Sequence, residues 1–258
     1  MDLSKYKTPL SPLSASVTSS LSKEVVLMEF NDPSHSDEIV KLDILDGVYK
    51  DKKSSYFVKC TTLMQDVRPL MIDWWFAWHL PDSERYQLWH PLDHISSKLT
   101  QDRSNLNNDK ERYIGINSYV EEYIGKKYSK LCISFLDPKE FGLGALDINA
   151  STAICARVTD METGVKIANL LHYVENNDIG SKMQSYFWLG NNLEHDNKLI
   201  NSFLTYFSKI HFLKGFFINN KLAKGLLRHC YEEMNHLASF LPELYKDIGT
   251  SSNLDKSL

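Results

Sequence analysis

The chain has 258 residues, 43% of them hydrophobic and 24% charged, with a formal net charge of -4 at pH 7. This composition belongs to globular proteins that bury a sizeable core, not to disordered or fibrous ones. An acidic balance without a basic stripe argues against a nucleic-acid partner, and apolar runs such as Val25–Met28 fall far short of the roughly 20 residues a membrane span needs.

Residues 1–22, rich in Ser, Thr and Pro and without periodicity, read as an irregular arm. Residues 23–66 read as a small strand-rich N-terminal region, with β-rich runs Val25–Phe30, Ile39–Ile44 and Tyr56–Thr62 separated by turn signals. The rest, 67–258, forms the main domain. Pro69 introduces a short helix to Trp78, and Ser96–Arg112 is a polar loop without an apolar face. Tyr113–Gly125, Lys130–Leu136, Thr152–Thr159, Val165–Val174 and Lys182–Leu189 are five consecutive strand-like runs, as in an antiparallel meander. Two helices, Asp196–Leu213 and Asn220–Leu241, close the chain. An antiparallel sheet followed by a long helix buries both apolar faces if the sheet curves around the helix, which predicts an α+β fold with a cavity between them. The four cysteines, Cys60, Cys132, Cys155 and Cys230, form no C-x-x-C pair, and no secretory leader precedes them. A reduced, cytoplasmic setting is the expectation.

Between Trp74 and His94 lie four of the five tryptophans, Tyr86 and three of the nine histidines. Apolar walls with a few orienting polar groups suit a flat organic ligand; an aromatic core with hydrogen-bonded histidines would use the same residues. In the last helix Leu222, Ala223, Leu226, Leu227, Cys230, Met234, Leu237 and Leu241 fill one arc, with Lys224, Arg228 and Glu232 opposite. His229 and Glu233, one turn apart, sit at the edge of that arc. A carboxylate turned toward a core needs a partner to offset its desolvation; a divalent metal is one, and a His-Glu ion pair on a solvated flank is the alternative. Strand alternation puts Glu122 on the side of Ser118 and Val120, whereas a one-residue bulge would promote Glu121. A further imidazole, His90 or His94, would complete a mixed nitrogen and oxygen shell suited to zinc and open to iron or manganese. H-E-x-x-H, Walker, G-x-G-x-x-G and G-x-S-x-G motifs are absent.

The succession W-W-F-x-W-H, R-Y-x-L-W-H-P-x-x-H, V-E-E-Y-I-G, S-Y-F-W-L-G and R-H-x-x-x-E, running from about Trp74 to Leu237, resembles the diacetylphloroglucinol hydrolase and phloretin hydrolase family. The resemblance implies a helix-grip fold like that of the Bet v 1 allergens. It also implies a zinc-dependent hydrolase that cleaves the carbon-carbon bond between a phenolic ring and an acyl group. Position by position it implies Zn2+ held by His94, Glu122, His229 and Glu233. Tyr86, eight residues before His94, matches the family's phenol-binding Tyr, and no such match exists for His90. His172 matches a His that faces the acyl group. Ser97 and Phe187 depart from the pattern, standing where the family has an Asn and a Tyr that contact ring hydroxyls, so the hydroxyl pattern of the substrate is open.

For the reaction we expect His172 to hydrogen-bond the acyl oxygen or move the proton, Tyr86 to hold a ring hydroxyl, and Glu122 or Glu233 to act as base. His79 and His90 are left with structural or supporting roles, and Trp74, Trp75, Trp78 and Trp89 with packing. The expected partner is a small-molecule phenolic ketone, and strand pairing through residues 24–63 would give a homodimer. Two other readings are a helix-grip carrier of hydrophobic phenols, which needs the cavity but not the metal shell, and a metal hydrolase of another small ketone.

Overall fold

The computed structural model describes residues 2–207 and 218–249. Nine strands share one sheet: β1 (Val26–Leu27), β2 (Gly47–Lys50), β3 (Tyr56–Gln65), β4 (His94–Leu99), β5 (Asn117–Ile124), β6 (Lys127–Leu136), β7 (Ser151–Asp160), β8 (Lys166–Asn177) and β9 (Gly180–Glu194). Their spatial order is β1-β2-β3-β9-β8-β7-β6-β5-β4. All neighbours are antiparallel except β1 with β2. The helices are α1 (Ala15–Ser22), α2 (Ser36–Ile39), α3 (Pro69–His79), α4 (Ser83–Trp89), α5 (Asp109–Tyr113), α6 (Lys198–Phe207) and α7 (Asn220–Leu244).

The sheet closes around α7 in the expected helix-grip arrangement. Asn219 starts that helix by accepting the Leu222 N–H on its side chain, which satisfies a donor that the helix itself leaves open. Ala223, Leu227, Cys230, Met234, Leu237 and Leu241 are buried in the core on the concave side. A second core lies on the convex side, where Phe57, Leu171, Tyr186 and Trp188 are covered by Ile39, Phe141 and Leu143. β9 therefore buries both faces: Phe187 and Leu189 point into one core, Tyr186 and Trp188 into the other. That is why its centre reads as an unbroken apolar run instead of an alternation.

β5 to β9 are the five expected strands, and pairing with neighbours lengthens most of them. Four other expectations need correction. Ile39–Ile44 is not a strand: α2 ends at Ile39 and a turn follows, because Ile39, Val40 and Ile44 cover the convex face instead of joining the ladder. The strand falls instead at Gly47–Lys50. The polar segment after Ser96 contains the edge strand β4, whose backbone pairs with β5, and the short helix α5, whose Asn108 cap accepts from Lys110 N–H. An edge strand facing water needs no continuous apolar face. Within the supposed irregular arm, α1 is helical, and the arm docks onto the end of α7, where Tyr6 is buried and its hydroxyl donates to Asp247 at 2.6 Å. The helix expected over Asp196–Leu213 is observed as α6 to Phe207, and its remainder lies outside the described residues. The boundary drawn at residue 66 falls between β3 and α3, yet β3 pairs with β9 along ten residues and is part of the same sheet.

Candidate metal centre

Two elements of the sheet and one helix deliver four buried donors to one point. On α7, His229 and Glu233 stand one turn apart and are 4% and 7% exposed. On β5 the alternation holds from Ser118 onward, so Glu122 is buried while Glu121 faces out and accepts from the Tyr128 hydroxyl at 2.7 Å. His94, at the start of β4, lies directly opposite Glu122 in the ladder, and a register shift between His94 and Ser96 re-aims the strand end. A bulge does occur, but on the partner strand, so it leaves Glu122 pointing inward.

The two imidazole Nε2 atoms are 3.3 Å apart. Glu122 Oε2 is 3.6 Å from His94 Nε2 and 3.9 Å from His229 Nε2, and Glu233 Oε2 is 3.6 Å from each. Donors about 2.0–2.2 Å from a tetrahedral zinc are separated from one another by roughly 3.3–3.6 Å. Four of these five separations match, and Glu122 to His229 is a few tenths of an ångström longer, so the set fits a zinc-sized cation.

The orientation of each imidazole is fixed from behind. His94 Nδ1 lies 2.9 Å from the Tyr86 carbonyl oxygen, so Nδ1 carries the proton and Nε2 presents its lone pair to the centre. His229 Nδ1 lies 3.3 Å from Asp93 Oδ2. A carbonyl or carboxylate behind each ring is the usual support of a metal-binding histidine. Tyr86 stacks on His94 with centroids 3.8 Å apart, and its hydroxyl donates to Glu122 Oε2. His90 does not compete for the site: its Nδ1 accepts the Asp93 N–H at 3.0 Å, so Nε2 carries the proton and faces Glu232 Oε2 at 3.5 Å.

Among the described residues, the ion pairs of Glu122 and Glu233 are with His94 and His229 alone. Burial, with Cys230 and the Glu122 carboxylate adding to it, pushes the Glu233 carboxyl well above the usual range. Burial, then the His229 imidazole, pushes His94 well below its own. A divalent cation at the centre would favour the carboxylate and supply the charge that no Lys or Arg provides.

The four donors line a cavity of about 110 Å³ between α7 and the concave sheet face, together with Phe76, Trp89, Phe135, Leu170, Phe187 and Leu226 among others. Tyr86, His172 and Phe187 all lie on this wall. His172 is buried, with Nδ1 2.8 Å from Ser185 Oγ, and burial pushes it down to about 3. Ser97 does not line the cavity; its hydroxyl donates to the Leu80 carbonyl at 2.8 Å and lies 3.2 Å from Ser118 Oγ. Sequence reasoning missed Asp93 and Ser185, because neither a turn residue nor a lone Ser in a strand carries a periodic signal. Trp74 and Trp75 pack in the core as expected, whereas Trp89 also faces the cavity.

A family model described as the DAPG hydrolase PhiG domain matches residues 30–246. The chain is 29% identical over 196 residues to the 2,4-diacetylphloroglucinol hydrolase of Pseudomonas protegens, covering 70% of this chain and 61% of that one. It is 26% identical over 199 residues to the phloretin hydrolase of Eubacterium ramulus, covering 72% and 66%. The chain thus spans somewhat under two thirds of the length of these curated relatives. Among solved structures, Ara h 8.0201 overlays with a TM-score of 0.34 at 12% identity over 63% of this chain and 97% of that one. Major latex-like protein 151 of Panax ginseng overlays with a TM-score of 0.36 at 10% identity over 68% and 97%.

Proposed function

The chain belongs to the family of the DAPG hydrolase PhiG domain, and from that premise we propose that it is a zinc-dependent hydrolase. It would cleave the carbon-carbon bond between a phloroglucinol-type ring and an acyl group, releasing a carboxylic acid and the deacylated phenol. The observation that carries this reading is the convergence of His94, Glu122, His229 and Glu233 on the wall of a largely apolar cavity, with no Lys or Arg among the described residues in an ion pair with either carboxylate. The names of the two relatives, hydrolases of 2,4-diacetylphloroglucinol and of phloretin, supply the substrate class.

The four donors would hold the zinc, which when bound brings the pKa of water toward neutrality and polarises a carbonyl. Phe76, Phe135 and Phe187 enclose the ring and keep bulk water away from it. The Tyr86 hydroxyl already donates to Glu122, and its oxygen can still accept a bond from a ring hydroxyl. That bond holds the ring where it can take its keto tautomer, so that the electrons of the breaking bond end in an enolate. His172 is neutral, and when Ser185 donates to Nδ1 the proton sits on Nε2, ready to hydrogen-bond the acyl oxygen. Glu122 or Glu233 takes the proton of the attacking water, and a proton finally returns to the ring carbon.

The test is to incubate the zinc-loaded protein with 2,4-diacetylphloroglucinol and with phloretin and to assay free carboxylic acid and deacylated phenol. Release that stops on chelation and returns with zinc is the expected result. No metal-dependent release from either ketone would sink the reading.

A further inference from the structure

The chain carries a net charge of -4, yet a groove on its surface beside the metal centre is cationic. The β5–β6 hairpin supplies Lys126 and Lys127 to it, and the first turns of α7 supply Lys221, Lys224 and Arg228. Two carboxylates share the wall, and both are engaged: Asp93 Oδ2 lies 3.3 Å from His229 Nδ1, and Glu232 Oε1 accepts from Arg228 Nε at 2.8 Å. The four lysines form no ion pair among the described residues. Like charges gathered in one groove repel, and backbone contact brings these together. Gly125, with a φ of +65°, turns the hairpin, and a Cβ built on Gly225 would stand 3.4 Å from the Gly125 Cα. Two glycines thus let the hairpin rest directly on the second turn of α7.

The groove and the metal cavity share side chains: Ile124, Lys127, Leu222 and His229 line both. Lys127 is exposed, and Ile124 and Leu222 are half-buried, so the cavity meets solvent along this shared wall. The proposed reaction uses none of these cations. Its ligands nonetheless have a stake in them. An acyl group conjugated with a ring hydroxyl draws charge away from that oxygen, so acylphenols ionise more readily than simple phenols. An anion approaching the centre is opposed by the Glu122 and Glu233 carboxylates, and a cationic approach offsets that repulsion.

We propose that this groove is the mouth of the metal cavity and that its lysines draw in apolar ligands carrying a negative charge. For the proposed reaction these are acylphenols in their phenolate form. Charges around an entrance act chiefly on the rate of association, and they lose their effect as salt shortens the range of the field. The identity of the natural ligand rests on the hydrolase reading, whereas the preference for anions does not.

The zinc-loaded full chain is mixed by stopped flow with anilinonaphthalene sulfonate and with phenylnaphthylamine, its uncharged counterpart, both of which fluoresce in apolar cavities. Rates are read at about 10 mM and about 1 M sodium chloride, where charges are felt over roughly 30 Å and 3 Å. Wild type is compared with a Lys126→Gln, Lys221→Gln, Lys224→Gln triple variant. In wild type the sulfonate should associate about tenfold faster at low salt than at high salt, and the variant should lose most of that difference. The uncharged amine should enter both proteins at rates within about twofold of each other, and dissociation rates should change as little. A third ligand, 2,4-diacetylphloroglucinol, should associate with wild type faster as its ionised fraction, read from its own absorbance, rises. The salt and ionisation series need only wild type, so they stand if the variant fails to fold. Equal slowing of sulfonate and amine in the variant, which a packing role would give, overturns the proposal. So does a sulfonate that fails to bind, or one whose association ignores salt. If the rates behave as expected and no acid is ever released, the hydrolase reading fails and the anion entrance stands. If acid is released and association ignores charge, the hydrolase reading stands and the anion entrance fails.

Discussion

α7 meets the sheet through two polar clusters whose helix members, Tyr231 in one and His229 and Glu233 in the other, lie within one turn of each other. In one, the Tyr231 hydroxyl donates to Asp46 Oδ2 at 2.8 Å, Thr61 Oγ1 donates to Oδ1 at 2.7 Å, and Lys59 Nζ lies 3.4 Å from the same Oδ1. Lys59 is 1% exposed, yet its ammonium has that carboxylate, the Thr61 hydroxyl and the Tyr186 ring around it. In the other, two carboxylates face two imidazoles. Each cluster holds desolvated ionisable groups, Lys59 in the first and all four donors in the second; only the first closes its own charge balance. Burial of charge alone therefore does not mark a site, whereas buried charge of one sign without a counter-ion does.

Removing donors should separate the two clusters most sharply. His229→Ala or Glu233→Ala should lower zinc occupancy after dialysis to a small fraction and cut acid release roughly a thousandfold or more, because the cation's contribution is several kcal/mol. Elemental analysis beside a product assay checks this; full zinc in either variant would show that the wrong donors are named. In the self-balanced cluster, Asp46→Ala strands the Lys59 ammonium and should cost about 3–5 kcal/mol of stability, read by urea unfolding, with zinc stoichiometry unchanged. Asp93→Asn weakens the support behind His229 and should lower zinc affinity about 10- to 100-fold in a chelator competition, with little effect on the metal-free protein.

A smaller effect is expected with pH. Burial holds His172 near 3 in the folded chain, against an ordinary value of 6.5. The neutral ring is favoured by folding, so its contribution is complete above about pH 6.5 and is lost as pH falls toward 3, at up to about 1.4 kcal/mol per pH unit. Unfolding curves of His172→Gln should lack this component; an identical pH slope in the variant would mean that the wild-type ring is already charged or solvated.

Much of this was legible from residue order. The β5 alternation around Glu122, the His229 and Glu233 spacing, and the consecutive strands followed by a long amphipathic helix each follow a local period that packing later reinforces. What was not legible depends on distant partners. His94 heads an edge strand whose residues carry no apolar stripe, because its ladder bonds come from β5. Ile39 and Ile44 look like strand residues but serve as a lid over Phe57 and Trp188. The orphan Nε2 of His79 is invisible in sequence, because only the fold shows which of its two nitrogens has a partner.

If one divalent cation completes the unbalanced cluster, zinc titration of the metal-free chain followed by calorimetric melting will reveal it. The expected result is one zinc per chain and a rise in melting temperature that disappears in a His94→Ala, His229→Ala double variant. An absence of saturable zinc binding, or the same rise in the double variant, would mean that these four residues do not form a metal centre.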